Sequence, residues 1–458
     1  MQFSLKIVPR PFPLIGAVLL VLFGVAAGSQ AQAASPTVIQ VPGSAFFGGA
    51  VSLSADGQTA LIGAPNEGRA YIFIRAGGAW VEQARLPAAG PGGQGFGRTV
   101  ALSADGTVAL VANPEEVACP SSSFPCGAVY IYVRAGGTWT QQDRLTPPYI
   151  FDFEFYFGTA LALSADGSTV LVGRPGDDCV HQPCRGVVFA YERQGGTWNL
   201  VDSLRASNPS VEAFGVDVSL TPDGSTALIG APLTDCAAGN DCGEAYVFTR
   251  SGVDWSEQAR LTAPDAAPYA SFGSSVGLAA DGLTALIGTP RVELSPGTGP
   301  GSVYAFARGG GAWIEAQKIT GGLSGEGFGH SLELALDGQS ALVGVPTTDC
   351  AAGVDCGAVY RLVRNGGVWG PPLPLASFPA GAFGGTAVAL SGDGATGLAG
   401  AIGTSCGGTP FCGSVYVFEG LLGALAVPTL NEAGLILLAL LLAAGGWATL
   451  RRRPRPAP

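Results

Sequence analysis

Side chains that could act as bases or nucleophiles are scarce in this chain. Its only histidines are His181 and His330, against thirty-four Asp and Glu residues. No Gly-x-Ser-x-Gly elbow, His-Glu-x-x-His pair or glycine-rich phosphate loop stands out. Catalysis would fall to carboxylates brought together from distant parts of the chain. The formal net charge of −11 and the presence of only two lysines, Lys6 and Lys318, exclude the clustered cations that nucleic-acid binding requires.

Ten cysteines are the other reactive groups, and they fall in five close pairs: Cys119/Cys126, Cys179/Cys184, Cys236/Cys242, Cys350/Cys356 and Cys406/Cys412. The CxxC spacing and histidine partners of a zinc site are missing, so local disulfides are the simplest reading. Each would close a short loop and add about 2 kcal/mol by restricting the unfolded chain. No cofactor or metal is expected.

One segment is chemically unlike the rest. Tyr149-Ile150-Phe151-Asp152-Phe153-Glu154-Phe155-Tyr156 combines aromatic and acidic side chains. It reads either as a hydrophobic cap or as a contact patch for a carbohydrate or protein, with Tyr149, Phe151, Asp152, Phe153, Glu154 and Tyr156 as its candidate contacts. A second pattern pairs an arginine with a tryptophan five residues later: Arg75/Trp80, Arg134/Trp139, Arg193/Trp198, Arg250/Trp255, Arg308/Trp313 and Arg364/Trp369. Six equal placements fit packing and cation–π contact better than recognition.

The elements that must hold these residues come from an internal repeat. Phe-Gly recurs at Phe47, Phe96, Phe157, Phe214, Phe272, Phe328 and Phe383, at spacings of 49 to 61 residues. An Asp-Gly follows each, at Asp56, Asp105, Asp166, Asp223, Asp281, Asp337 and Asp393, and then an apolar run ending in a Gly-x-Pro-like element such as Gly63-Ala64-Pro65. Each copy reads as four short strands joined by hairpin turns, which predicts an all-β, seven-bladed β-propeller over residues 34–420. Copies one to six carry the tryptophan of a fourth strand, whereas copy seven stops at Phe418-Glu419. The missing strand is expected from Thr37-Val38-Ile39-Gln40, which would close the ring and cover an open edge.

The Phe-Gly start and Gly-Ala-Pro element resemble FG-GAP repeats, the blades of integrin-α-type propellers and of many bacterial envelope proteins. That family often places a calcium loop between strands one and two. Here the corresponding loops, such as Ser54-Ala55-Asp56-Gly57, hold one carboxylate each, too few for the six or more oxygens that calcium takes.

Both ends read as targeting segments. Lys6, Arg10, the apolar run Leu14 to Ala27 and Ala31-Gln32-Ala33 form a signal peptide over residues 1–33, placing the rest in an oxidising compartment. After a linker at 421–432, the uncharged stretch 433–450 is close to the length of a membrane-spanning helix, and 451–458 is basic. Val427-Pro428-Thr429-Leu430, the apolar stretch and Arg451-Arg452-Arg453 resemble the IPTL-CTERM sorting signal of Gram-negative bacteria. That resemblance implies recognition by an envelope sorting system, with a sorting protease as a partner. Val427 and Ala433 depart from the usual residues of that signal.

Loop lengths carry the functional expectation. Turns 1–2 and 3–4 of each blade are short and uniform, whereas loops 2–3 and 4–1 hold all five cysteine pairs and every long insertion. The expected activity is therefore binding of a protein or carbohydrate through the long-loop face of an exported, adhesion-like protein. A periplasmic membrane-held scaffold and a carboxylate-based hydrolase or lyase are the alternatives.

Overall fold

A computed structural model describes residues 35–87, 93–117, 126–148, 156–176, 185–290, 300–321 and 327–421. These form seven antiparallel sheets, each a blade whose first strand lies at the hub and whose fourth lies at the rim. Blade 1 runs Ala50–Leu53, Thr59–Ala64, Arg69–Ala76 and Ala79–Pro87. Its second strand is buried along its whole length, as its unbroken apolar run requires, while the fourth is mostly open to solvent. In blade 6 the fourth strand is split into Val368–Trp369 and Leu373–Ser377, at the point where Pro371 and Pro372 supply no N–H.

The N-terminal strand closes the ring as expected. Thr37–Ile39 pairs antiparallel with Ser414–Phe418 of blade 7, with Thr37 opposite Val417 and Ile39 opposite Val415. Gln40 Nε2 donates to Ser414 Oγ at 2.7 Å, and Ile39 and Val41 are buried. The core is distributed around the ring, each apolar cluster being drawn mainly from adjacent blades.

The Phe-Gly element has a packing reason. Phe47 meets Tyr71 edge-on at 5.5 Å, and Phe96, Phe214 and Phe272 meet Tyr130, Tyr246 and Tyr304 in the same way. The glycine that follows lies against the second strand of the preceding blade. A Cβ on Gly63 would stand 1.9 Å from the Gly97 carbonyl oxygen, and one on Gly400 would stand 1.9 Å from that of Gly48. The second of these contacts joins blades 7 and 1, so the chain ends meet through the same joint as every other pair except blades 2 and 3, where Gly158 faces Ala112.

Blade 7 corrects the register read from the repeat. Gly384, not Phe383, occupies the backbone position of the repeat phenylalanine: Gly357 bridges Gly384 as Gly413 bridges Phe47. Gly384 lies nine residues before Asp393, the same offset as from Phe47 to Asp56. The ring comes from Phe378, which packs on Tyr416 at 4.7 Å and fills the space a side chain on Gly384 would need. Phe383 is displaced to a left-handed position with φ 52°.

Each Asp-Gly turn is held by its own aspartate. Asp56 accepts the Gln58 N–H at 2.9 Å and the Ser54 hydroxyl at 2.6 Å, and Ser54 Oγ accepts the Thr59 N–H at 2.9 Å. Partial burial opposes ionisation of Asp105, but its bonds from Ser103 and Thr107 hold its carboxyl below the ordinary range. These carboxylates are turn caps. Adjacent turns also bond to each other around the hub. Ala55 donates to Ala104, Ala104 to Ala165, Ala165 to Pro222, Ala280 to Leu336, Leu336 to Gly392, and Gly392 back to Ala55. The circuit is interrupted only at Pro222, which has no N–H to give.

Candidate binding face and central channel

Three of the expected disulfides, Cys236–Cys242, Cys350–Cys356 and Cys406–Cys412, staple the 2–3 loops of blades 4, 6 and 7. Cys126 is disulfide-bonded as well, while Cys119, Cys179 and Cys184 lie outside the described residues. Blades 4 and 6 build the loop identically. Cys236 and Gly239 exchange backbone hydrogen bonds, as do Cys350 and Gly353. Asp235 Oδ1 accepts the Asp241 N–H at 3.0 Å, and Asp349 Oδ1 accepts that of Asp355 at 3.0 Å. The residue before the second cysteine is left-handed in all three loops: Asp241, Asp355 and Phe411.

Each cystine loop also grips the 4–1 loop that enters the next blade. Ser271 and Phe272 donate to the carbonyls of Asp241 and Cys242, and Phe383 and Gly384 to those of Asp355 and Cys356. Phe46 and Phe47 donate to those of Phe411 and Cys412, across the junction of the chain ends. The two sets of long loops thus form one hydrogen-bonded surface, preorganised for contact. Large apolar side chains stand out from it: Val354 is 64% exposed, Phe411 50%, Leu233 43% and Tyr269 42%. Phe411 stacks on Phe46 at 6.0 Å. Carboxylates lie among them: burial raises the pKa of Glu212, and the charges of Asp235 and Asp241 raise it further.

Of the aromatic and acidic segment, Tyr156 is described: it is half exposed, with φ 76°. Tyr149, Phe151, Asp152, Phe153 and Glu154 lie outside the described residues. The six arginine–tryptophan pairs are cross-strand neighbours, as in Arg75 opposite Trp80. Cation–π contact is not their common role. Among the described residues, Arg364 sits over its own Trp369 at 6.0 Å, whereas Arg75 reaches Glu419 and Arg250 reaches Glu192 on adjoining blades. Arg85, Arg144 and Lys318 each sit above the third-strand tyrosine of their own blade.

The sequence allows distant carboxylates to meet in a central channel but names no residue of it. The channel cavity of about 230 Å³ is walled by the first strands of all seven blades. Side chains there stitch neighbouring blades together: Ser52 Oγ accepts the Leu102 N–H at 3.1 Å, and Ser219 Oγ that of Leu278 at 3.0 Å. At the equivalent positions the blades carry Ala, Ser, Thr or Gly, except for Asp217 and Glu333. Asp217 accepts N–H groups from Val218 and Val276 at 2.9 and 2.7 Å. Burial raises its pKa to about 6 in spite of these bonds. Glu333 is exposed to the lumen, ringed by the first strands of the blades. The protein crowded around it, and secondarily the charge of Asp217, raise its pKa to about 8. The signal for both residues was a carboxylate at a position that six other blades fill with small side chains.

Little else in the site can do covalent chemistry. Contrary to the sequence reading, Gly-x-Ser-x-Gly does occur, at Gly403–Gly407 and at Gly273–Gly277. The first lies in a cystine loop between two strands, and the second runs onto the first strand of blade 5, where Ser275 Oγ donates to the Gly329 carbonyl. Neither has the strand-to-helix turn that such a serine needs. No group of three or more potential metal ligands occurs among the described residues.

Seven four-stranded blades, joined at six of their seven junctions by paired glycines, define a β-propeller. Residues 255–306, running from the fourth strand of blade 4 to the third strand of blade 5, match the FG-GAP repeat family, and residues 425–453 match the IPTL-CTERM motif. No curated protein matches the chain. A β-propeller with one stretch similar to an FG-GAP repeat, with disulfides and with a match to a C-terminal sorting motif, points to an exported, surface protein.

Proposed function

We propose that the protein binds a protein or carbohydrate partner at the cell envelope or surface through its long-loop face, in an adhesion-like role and without catalysis of its own. The observation that carries this reading is the bonding of cystine loops to the neighbouring 4–1 loops, which holds exposed apolar and acidic side chains in fixed positions. Rigid apolar anchors bind at low entropic cost. In the same reading, residues 1–33 are a signal peptide, 421–432 a linker and 433–450 a membrane helix followed by a basic tail.

The test is adsorption of the labelled protein to whole bacterial cells and to a panel of immobilised polysaccharides. The variant Tyr269→Ala/Val354→Ser/Phe411→Ala should keep its melting temperature and lose about tenfold or more in adsorption. The pair Tyr149→Ala/Phe153→Ala tests the aromatic segment in the same assay. Undiminished adsorption of both variants would overturn the reading. Asp217 and Glu333 support a second, hydrolase or lyase reading, under which Asp217→Asn abolishes a turnover while leaving adsorption intact.

A further inference from the structure

The two ends of the described chain leave the ring on the same side. In blade 7 the third strand, Ser414–Phe418, runs toward the short-turn face, and Leu421 N donates there to the carbonyl of Ala395 in the Asp-Gly turn. Thr37 lies opposite Val417, so the chain also enters from that face. Eleven residues, 422–432, separate Leu421 from the uncharged stretch 433–450. Fully extended, they reach at most about 40 Å.

The outer rim of that face has its own chemistry. Val81, Val253, Ile314 and Val368, at or near the 3–4 turns, are between 47% and 62% exposed. Arg134, Arg193 and Arg308, next to last in the third strands beside these turns, are half buried and have no side-chain partner among the described residues. The turn aspartates of this face lie hubward, and each already accepts the N–H two residues on, as Asp281 does from Leu283 and Asp393 from Ala395. Aliphatic tips on blades 1, 4, 5 and 6, with guanidinium groups on blades 2, 3 and 5, suit the boundary between lipid headgroups and acyl chains, where aliphatic side chains dip in and arginines meet phosphates.

We propose that the rim of the short-turn face seats on a phospholipid surface, with the C-terminal segment as its tether, leaving the long-loop face directed away from the bilayer. The occupant is the bilayer because the chain leaves the ring on this face, a short linker away from an apolar stretch of near-membrane length. The proposal does not depend on the partner of the opposite face.

The chain carries its own probes. Of seven tryptophans, Trp447 lies in the apolar stretch, and the other six open or nearly open the fourth strands beside this rim. Full-length protein carrying Trp447→Phe is reconstituted into phosphatidylcholine–phosphatidylglycerol vesicles that contain a dansylated headgroup lipid. Tryptophan-to-dansyl energy transfer is expected to be about twofold or more above that of the same protein with Val253→Glu/Ile314→Glu/Val368→Glu, the melting temperatures being matched. Equal transfer would overturn the proposal. A second variant, Arg134→Gln/Arg193→Gln/Arg308→Gln, covers the case in which the glutamates prevent folding. Replacing phosphatidylglycerol by phosphatidylcholine should lower transfer for the parent and leave this variant unchanged. An equal response of the two would count against the proposal.

Discussion

The two faces of the ring solve the same closure problem with different chemistry. On the short-turn face, seven near-identical aspartate-capped turns meet through backbone bonds around the hub, and one proline is enough to interrupt the circuit. On the long-loop face, neighbours are joined by phenylalanine rings, glycine contacts and disulfide-stapled loops that differ from blade to blade. The uniform face leaves little room for variation because every turn must match its neighbours. The varied face can change its tips while its stapled loops stay in register, the usual division between a scaffold and the loops it presents.

The harshest way to break this comparison is to remove the strand that serves both faces. Deleting residues 35–42 withdraws Ile39 and Val41 from the core and uncovers Ser414–Phe418. A loss of about 5 kcal/mol is expected, from the two buried side chains and the strand's hydrogen bonds. Denaturant unfolding measures it; a loss no larger than that of an ordinary terminal trim would refute closure by this strand.

Next in size is the register of blade 7. Phe378→Ala should cost about 3–5 kcal/mol, as for other buried phenylalanines, and Phe383→Ala less than about 1 kcal/mol. The opposite order would restore the register read directly from the repeat. A smaller effect is expected from the staple that spans the junction of the chain ends. Cys406→Ala/Cys412→Ala should lose about 2 kcal/mol, and the loss should be accompanied by faster hydrogen exchange at Phe46 and Phe47, whose N–H groups bond this loop. Unchanged exchange would mean that the loop does not hold its neighbour.

The smallest effect concerns the channel, where solvent reaching the exposed Glu333 screens its charge, and it has a pH signature. Asp217 and Glu333 have folded pKa values raised to about 6 and about 8, so the folded state holds protons that the unfolded chain releases near pH 4. Their contribution is fully favourable below the unfolded pKa and is lost as pH rises from about 4 to about 8. Glu333→Gln should raise the melting temperature at pH 8 and leave it nearly unchanged at pH 4. Equal shifts at both values would contradict the raised pKa.

The sequence was most legible where each blade depends on its own residues. Phe-Gly and Asp-Gly spacings report turns and packing inside one repeat, and the missing fourth strand of copy seven pointed to Thr37–Ile39 as its substitute. The loop pairs of cysteines were readable for the same reason. What escaped involves side chains that meet only when blades assemble. Phe378 replaces a ring from six residues before Gly384, so a fixed-spacing pattern selected Phe383 instead. Asp217 and Glu333 are more than a hundred residues apart, and only the ring brings them to one channel. The hub circuit uses backbone groups alone, so side-chain identities do not reveal it, apart from the gap at Pro222.

Blocking one face at a time tests most directly whether the long-loop face is the binding face. In a Lys318→Arg background, a lysine placed by Val354→Lys or by Gln58→Lys can be biotinylated and capped with streptavidin, the N-terminal amine being common to both proteins. Adsorption to bacterial cells should be lost when the cap sits at position 354 and retained when it sits at position 58. Loss at 58 with retention at 354, or equal behaviour of the two, would contradict the account.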